Sequence, residues 1–243
     1  MSPPPHQRRS PWPRLAWAFA IGLFALGAAF AAQAKGLGSR VPYAAPVELA
    51  GRRWAVVADA ADAVRLFDAT GAHGRRLLVL TGRWATLDQA TTETDPIAGA
   101  ADHLTADNAL FAAMKMGIAR ELAVAMPAPQ LAARLAEIRA ARGKGITLGE
   151  GFFVHPFHGF VRRFFEPAAL VAGDEPVLVL IEPSFLKADA PERVDQWLEA
   201  KGIRVEFGLV ATTDPAASGA ERERAENLAL ALEAPFAGFE ATP

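Results

Sequence analysis

Cysteine is absent from the whole chain. That excludes a disulfide framework, cysteine-ligated zinc, a thiol nucleophile and a lipidated N-terminal cysteine. An exported domain under this restriction folds on its hydrophobic core alone. Acidic residues are absent from the first 34 positions, which carry Arg8, Arg9 and Arg14. Those three arginines taken from 25 basic residues leave 22 against 27 acidic ones, a formal charge of −5. Such a balance builds no basic surface for nucleic acid. Common catalytic signatures are missing too: there is no G-x-S-x-G, no G-x-x-x-x-G-K, no H-E-x-x-H and no G-x-G-x-x-G. Asp59 and Asp62 lack the tight Asp-x-Asp spacing that places a nucleophile beside its acid in aspartyl phosphohydrolases. No internal repeat, heptad array or low-complexity block occurs.

What is present begins with an address. After the basic start comes an uncharged run from Leu15 to Ala32, closed by Ala32-Gln33-Ala34. A basic region, an apolar region and a small-x-small end describe a signal peptide cleaved after Ala34. The run of eighteen residues also approaches the ~20 that span a bilayer, so a retained anchor over 15–32 is the alternative. The Arg8-Arg9 pair is followed by Ser-Pro-Trp, a poor fit to a twin-arginine signal. The expected organisation is therefore a signal peptide or anchor over 1–34, a linker over 35–50 rich in Gly, Pro and Ala, and one domain over 51–243. The expected location is the periplasm or the exterior, with membrane contact only through the N-terminal segment.

Short apolar runs predict strands at 53–59, 75–82, 175–183 and 203–211; the second and third are apolar on consecutive positions, as strands covered on both faces are. Helical stripes lie between them: Phe111, Met114, Ile118 and Leu122; then Leu131, Leu135 and Ile138; then Val194, Trp197 and Leu198, stopped by Gly202. Ser218 and Glu221 have capping-box spacing before a last helix that runs through Leu232. The polar stretch 86–103 reads as an exposed connection. The glycine-rich 143–151 follows a helix pattern, so Gly143 reads as a helix C-cap. Strand–helix–strand units of this kind favour parallel pairing. The fold class is α/β, a mostly parallel sheet with flanking helices in Rossmann-like layers.

The densest stretch is 149–167, "GEGFFVHPFHGFVRRFFEP", with six of the fifteen phenylalanines. Pro156 suits the second position of a β-turn whose ends are His155 and His158. After it, 160–165 reads as a helix: Phe160, Val161, Phe164 and Phe165 share an arc of about 140°, and Arg162 and Arg163 point elsewhere. Three uses follow. His155 and His158 with Glu150 or Glu166 can hold a divalent metal. The same histidines with Arg162 and Arg163 can bind a small anion, such as a phosphate or carboxylate. The aromatic surface can face an envelope protein or a membrane. The plainer reading is core packing, with locally bonded histidines and solvated arginines.

Open α/β sheets bind ligands beyond the C-terminal strand ends, where strand order reverses. Those ends supply a second set: Asp59; Thr81 with Arg83; Glu182 with Ser184; and Thr212 with Asp214. Helix capping and polar loops account for such residues equally well. Two functional expectations result. One is an exported domain that binds a small anionic ligand or an envelope partner, through Arg162, Arg163, His155, His158, Thr81, Arg83 and Ser184. The other is a hydrolase in which His155 and His158 act with Asp59 or Glu182, around a metal held by His155, His158 and Glu150.

Overall fold

In the computed structural model the described residues are 51–83, 104–140, 145–157, 160–187 and 190–237. The expected signal segment, the linker, the connection 86–103, Gly143 and His158 lie outside them. Chain order is β1 (Trp54–Val57), α1 (Ala60–Ala69), β2 (Arg75–Leu80), α2 (Ala109–Lys115), β3 (Ala119–Ala125), α3 (Ala128–Ala140), β4 (Thr147–Gly149), β5 (Phe152–Phe157), β6 (Phe160–Phe165), β7 (Val177–Ile181), α4 (Val194–Ala200), β8 (Val205–Ala211) and α5 (Gly219–Ala231). One eight-stranded sheet runs β1-β8-β7-β2-β3-β6-β5-β4. Pairing is parallel from β1 across to β6, and antiparallel for β6-β5 and β5-β4. The protein is thus α/β with a mostly parallel sheet and flanking helices.

The apolar runs behave as sheet centres must. Leu77 to Leu80 and Val177 to Ile181 are buried at every position. One face of the sheet packs on α1, α2 and α3 through Phe67, Leu110 and Leu131. The other packs on α4 and α5 through Val194, Leu198 and Leu228. Local signals fix the helix ends. Asp59 caps α1 by accepting from the amides of Ala61 and Asp62. Ser218 and Glu221 close a capping box on α5. At the far end of the strands, Arg75 Nε and Nη2 bind Glu206 at 2.8 and 3.0 Å, a buried two-pronged pair that reaches from β2 over β7 to β8.

Two readings are corrected. The stripe that predicts a helix from Phe111 to Leu122 stops at Lys115, and Ile118 and Leu122 belong to the run into and along β3. Gly117 takes a φ of 75°, which terminates a helix and is open to glycine without strain. The segment 160–165 is a strand, not a helix. It pairs antiparallel with β5 in the register Phe152↔Phe165, Phe153↔Phe164, Val154↔Arg163, His155↔Arg162 and parallel with β3 on its other side. Two ladders of backbone hydrogen bonds outweigh the local helical pattern of six residues, which is too short to hold a helix by itself. His155 accordingly sits in β5, three residues before His158, and does not end a turn at His155–His158.

Candidate functional site

Strand geometry separates neighbours that a helix would have kept together. Successive side chains of β6 face opposite sides of the sheet. Phe164 stacks on Phe153, 4.6 Å between centroids, inside the core beneath α1–α3. Arg162 shares that face and is fully buried, where the sequence reading had turned it to solvent. Its Nη2 lies 2.7 Å from His155 Nδ1. A guanidinium only donates, so this imidazole nitrogen accepts and the ring proton sits on Nε2. The Arg162 cation also lies over the Phe164 ring at 5.8 Å. The pair is withdrawn from solvent.

Arg163 faces the opposite side. There Phe152 and Phe165 stack with centroids 5.9 Å apart, and Arg163 Nε binds Glu121 Oε1 at 2.9 Å. Arg76, from the start of β2, brings its Nε to 3.4 Å from the same carboxylate oxygen. That Nε is buried and makes no hydrogen bond among the described residues. These groups line a cleft of about 730 Å³. Its origin is topological. The connection from β6 to β7 must cross β3 and β2, and it does so through a short turn at Pro167–Ala169 in place of a full helix. Ala168, Ala169 and Val171 on that connection wall the cleft, with Glu150 and Glu166 at one end. Gly173 leaves room for the Arg76 guanidinium, since a Cβ there would stand 2.8 Å from Nη1.

The strand-end residues gather elsewhere. Strand order reverses between β7 and β2: the chain proceeds from β2 to β3 in one direction and from β7 to β8 in the other. The C-terminal ends of this pair bring Thr81, Arg83, Glu182 and Ser184 together, all buried, with Asp214 arriving from the end of β8. Ser184 Oγ accepts from the Gly82 amide at 3.1 Å, and Thr81 Oγ1 from the Arg83 amide at 2.9 Å. Asp214 accepts from the amides of Ser184 and Ala216. Arg83 donates to Asp107 and to the Ala106 carbonyl, with Asp214 3.7 Å from its Nε. Thr212 Oγ1 bonds the Val57 carbonyl. The two loops touch: a Cβ on Gly82 would fall 2.1 Å from the Ser184 carbonyl oxygen.

Two atoms of this network, Arg83 Nε and Glu182 Oε2, are buried without a hydrogen bond among the described residues. Burial pushes the Glu182 carboxyl up to about 7; Thr81 and Arg83 pull it back, and Asp214 and Asp59 push it further up. The protonated form suits a site whose single arginine is already shared by two aspartates.

Three groupings from the sequence therefore stand apart. His155 lies on β5, four strand spacings or about 19 Å across the sheet from β7, at whose end Glu182 stands. It does not share a cleft with Glu182 or Asp59. His155 and Glu150 face opposite sides of the sheet, and among the described residues no group of three or more His, Cys, Asp or Glu side chains can hold a metal. No helix among the described residues is long and apolar enough to cross a membrane. The sequence reading missed Arg76, Glu121 and the cleft itself. Arg76 offered a signal, as a charged residue inside an otherwise apolar strand run. Comparison with family models, with curated proteins and with solved structures finds no match for this chain.

Proposed function

We propose that this protein is an exported α/β domain that binds a small anionic ligand in the sheet-face cleft, with Arg163 and Arg76 as its receptors. One observation carries the reading. Two guanidiniums converge on a single carboxylate, Glu121, beside a stacked phenylalanine pair in an open cleft, and one of them, Arg76, meets it only at 3.4 Å through an Nε that makes no hydrogen bond among the described residues. An incoming carboxylate would give that donor a charge-assisted partner. The phenylalanines would take an apolar body. The volume falls within the ~300–1,000 Å³ typical of small-molecule sites.

The end of the sheet where strand order reverses is less suited to an anion. Arg83 has an unbonded buried Nε as well, but its other nitrogens are held by Asp107 and the Ala106 carbonyl, Glu182 and Asp214 crowd it, and the loops are in contact. The hydrolase expectation loses its shared cleft because His155 stands on a distant strand and faces the core.

Phenylacetate tests the reading. Calorimetry on the full chain is expected to show binding that Arg163→Ala weakens about tenfold or more, the loss of one charge-assisted hydrogen bond. Affinity is expected to stay constant from pH 6 to 8, because among the described residues no imidazole lines the cleft. This replaces the strengthening at low pH that a histidine-centred site implies. Equal affinity in the wild type and Arg163→Ala would place the ligand elsewhere.

A further inference from the structure

The cleft carries charge of both signs, and the signs are sorted. Arg76 and Arg163 stand at one end around Glu121. Glu166, three residues beyond Arg163, and Glu150, in the turn between β4 and β5, stand at the other. The backbone joins these two acidic positions, since the Glu166 amide donates to the Gly151 carbonyl at 2.7 Å. Among the described residues, neither acidic side chain makes an ion pair or hydrogen bond, whereas Glu121 is bound by Arg163. Between the ends lie Phe152 and Phe165. Gly151 has a φ of 67°, and a Cβ there would stand 2.7 Å from the Ala169 Cβ and 3.7 Å from Glu166 Oε2. Glycine at that position thus keeps the acidic end open.

Counted together, the lining has two cations and three anions. A multiply charged anion such as phosphate gains at one end and is repelled at the other. A single carboxylate with a cation at a suitable distance satisfies both. Three residues along a strand make about 10 Å, so the two charges of the ligand must be of that order apart. An α-amino acid is too short for this. An extended chain spans at most ~3.3–3.6 Å per residue, which sets the length at about three residues.

Resting on the anion reading above, we propose that the cleft takes an elongated zwitterion of the class of a free tripeptide. Its carboxylate meets Arg76 and Arg163, its ammonium meets Glu166 and Glu150, and an apolar central side chain lies against Phe152 and Phe165. Both ends of the ligand are then read, and blocking either should cost affinity. A capped or internal peptide segment is refused because it has no terminal charges to offer.

The experiment is calorimetry on the full chain with Ala-Phe-Ala, its N-acetyl form and its C-terminal amide, and with phenylacetate as the anion control. The free peptide is expected to bind, and each blocked form at least tenfold more weakly. Glu166→Gln, a near-isosteric change at a partly exposed position, is expected to shrink the difference between free and acetylated peptide while leaving the penalty for the amide. Free and acetylated peptide binding equally well, with the amide weak, would overturn the zwitterion and leave the anion site standing. The same follows if phenylacetate binds and the free peptide does not. Failure of every carboxylate to bind, phenylacetate included, would overturn both.

Discussion

Phe164 and Glu182 mark two opposite ways of being buried. Phe164 is 1 % exposed and stacked on Phe153 within the larger core cluster. Phe164→Ala should cost about 3–5 kcal/mol, a large part of the ~5–15 kcal/mol by which a domain is stable. The urea midpoint measures it, and an unchanged midpoint with an unchanged slope would contradict this burial. Glu182 is as deeply placed, but one of its oxygens has no partner. Its folded-state value of about 7 lies above its ordinary value of 4.5. The folded protein therefore holds the proton more tightly. The associated stability is fully present below about pH 4.5 and is lost as pH rises through about 7. A shift of this size corresponds to about 3 kcal/mol. Glu182→Gln should flatten this component of the stability profile and make the protein more stable than wild type at pH 8. A variant that keeps the same loss between pH 5 and 8 would assign the effect to other groups.

At the scale of the element, the β5–β6 hairpin decides which arginine is structural and which is free to work. Alternation along β6 sends Arg162 into the core against His155 and Arg163 into the cleft. Arg162→Ala would leave His155 Nδ1 without that donor, at a cost of about 1–3 kcal/mol. Arg163→Ala, at a half-exposed position, should leave the urea midpoint nearly unchanged. Denaturation of the two variants side by side checks this, and equal losses would mean that the two arginines do not differ in burial. The sequence could not show the division. Placing Phe160, Arg162 and Phe164 on one strand face requires burying an arginine, and one of its partners, His155, becomes its neighbour only once the hairpin has formed. A helix kept the phenylalanines together and the arginines apart from them, so it was the better local reading. The same limit applies to β3, where Ala, Leu and Glu continue a helical pattern and only Gly117 marks the break. Capping at Asp59 was one of the alternatives weighed from sequence, and the capping box at Ser218 was legible, because both act within a few residues.

For the whole molecule, the pattern of apolar runs and helical stripes was enough to give an α/β layered domain with a mostly parallel sheet. The consecutive apolar positions of β2 and β7 marked them as strands covered on both faces. Strand order was not legible, and the candidate site depends on it. Because β6 follows β3 and β7 lies beyond β2, the connection between β6 and β7 must cross the sheet face, and its short turn leaves a cleft where a helix would have filled the space. The strand ends named from sequence do gather where the order reverses, but capping and loop-to-loop hydrogen bonds employ most of their polar groups. Among the described residues, two polar centres can thus be compared, one open and cationic at one end, the other closed and acidic. Titration of isotope-labelled protein with phenylacetate, followed through backbone amide chemical shifts, compares them directly. Shifts concentrated at Glu121, Phe152, Arg163 and Phe165 are the expected result. Shifts concentrated instead at Thr81, Gly82, Glu182 and Ser184, with the cleft silent, would contradict the account and move the site to the reversal of strand order.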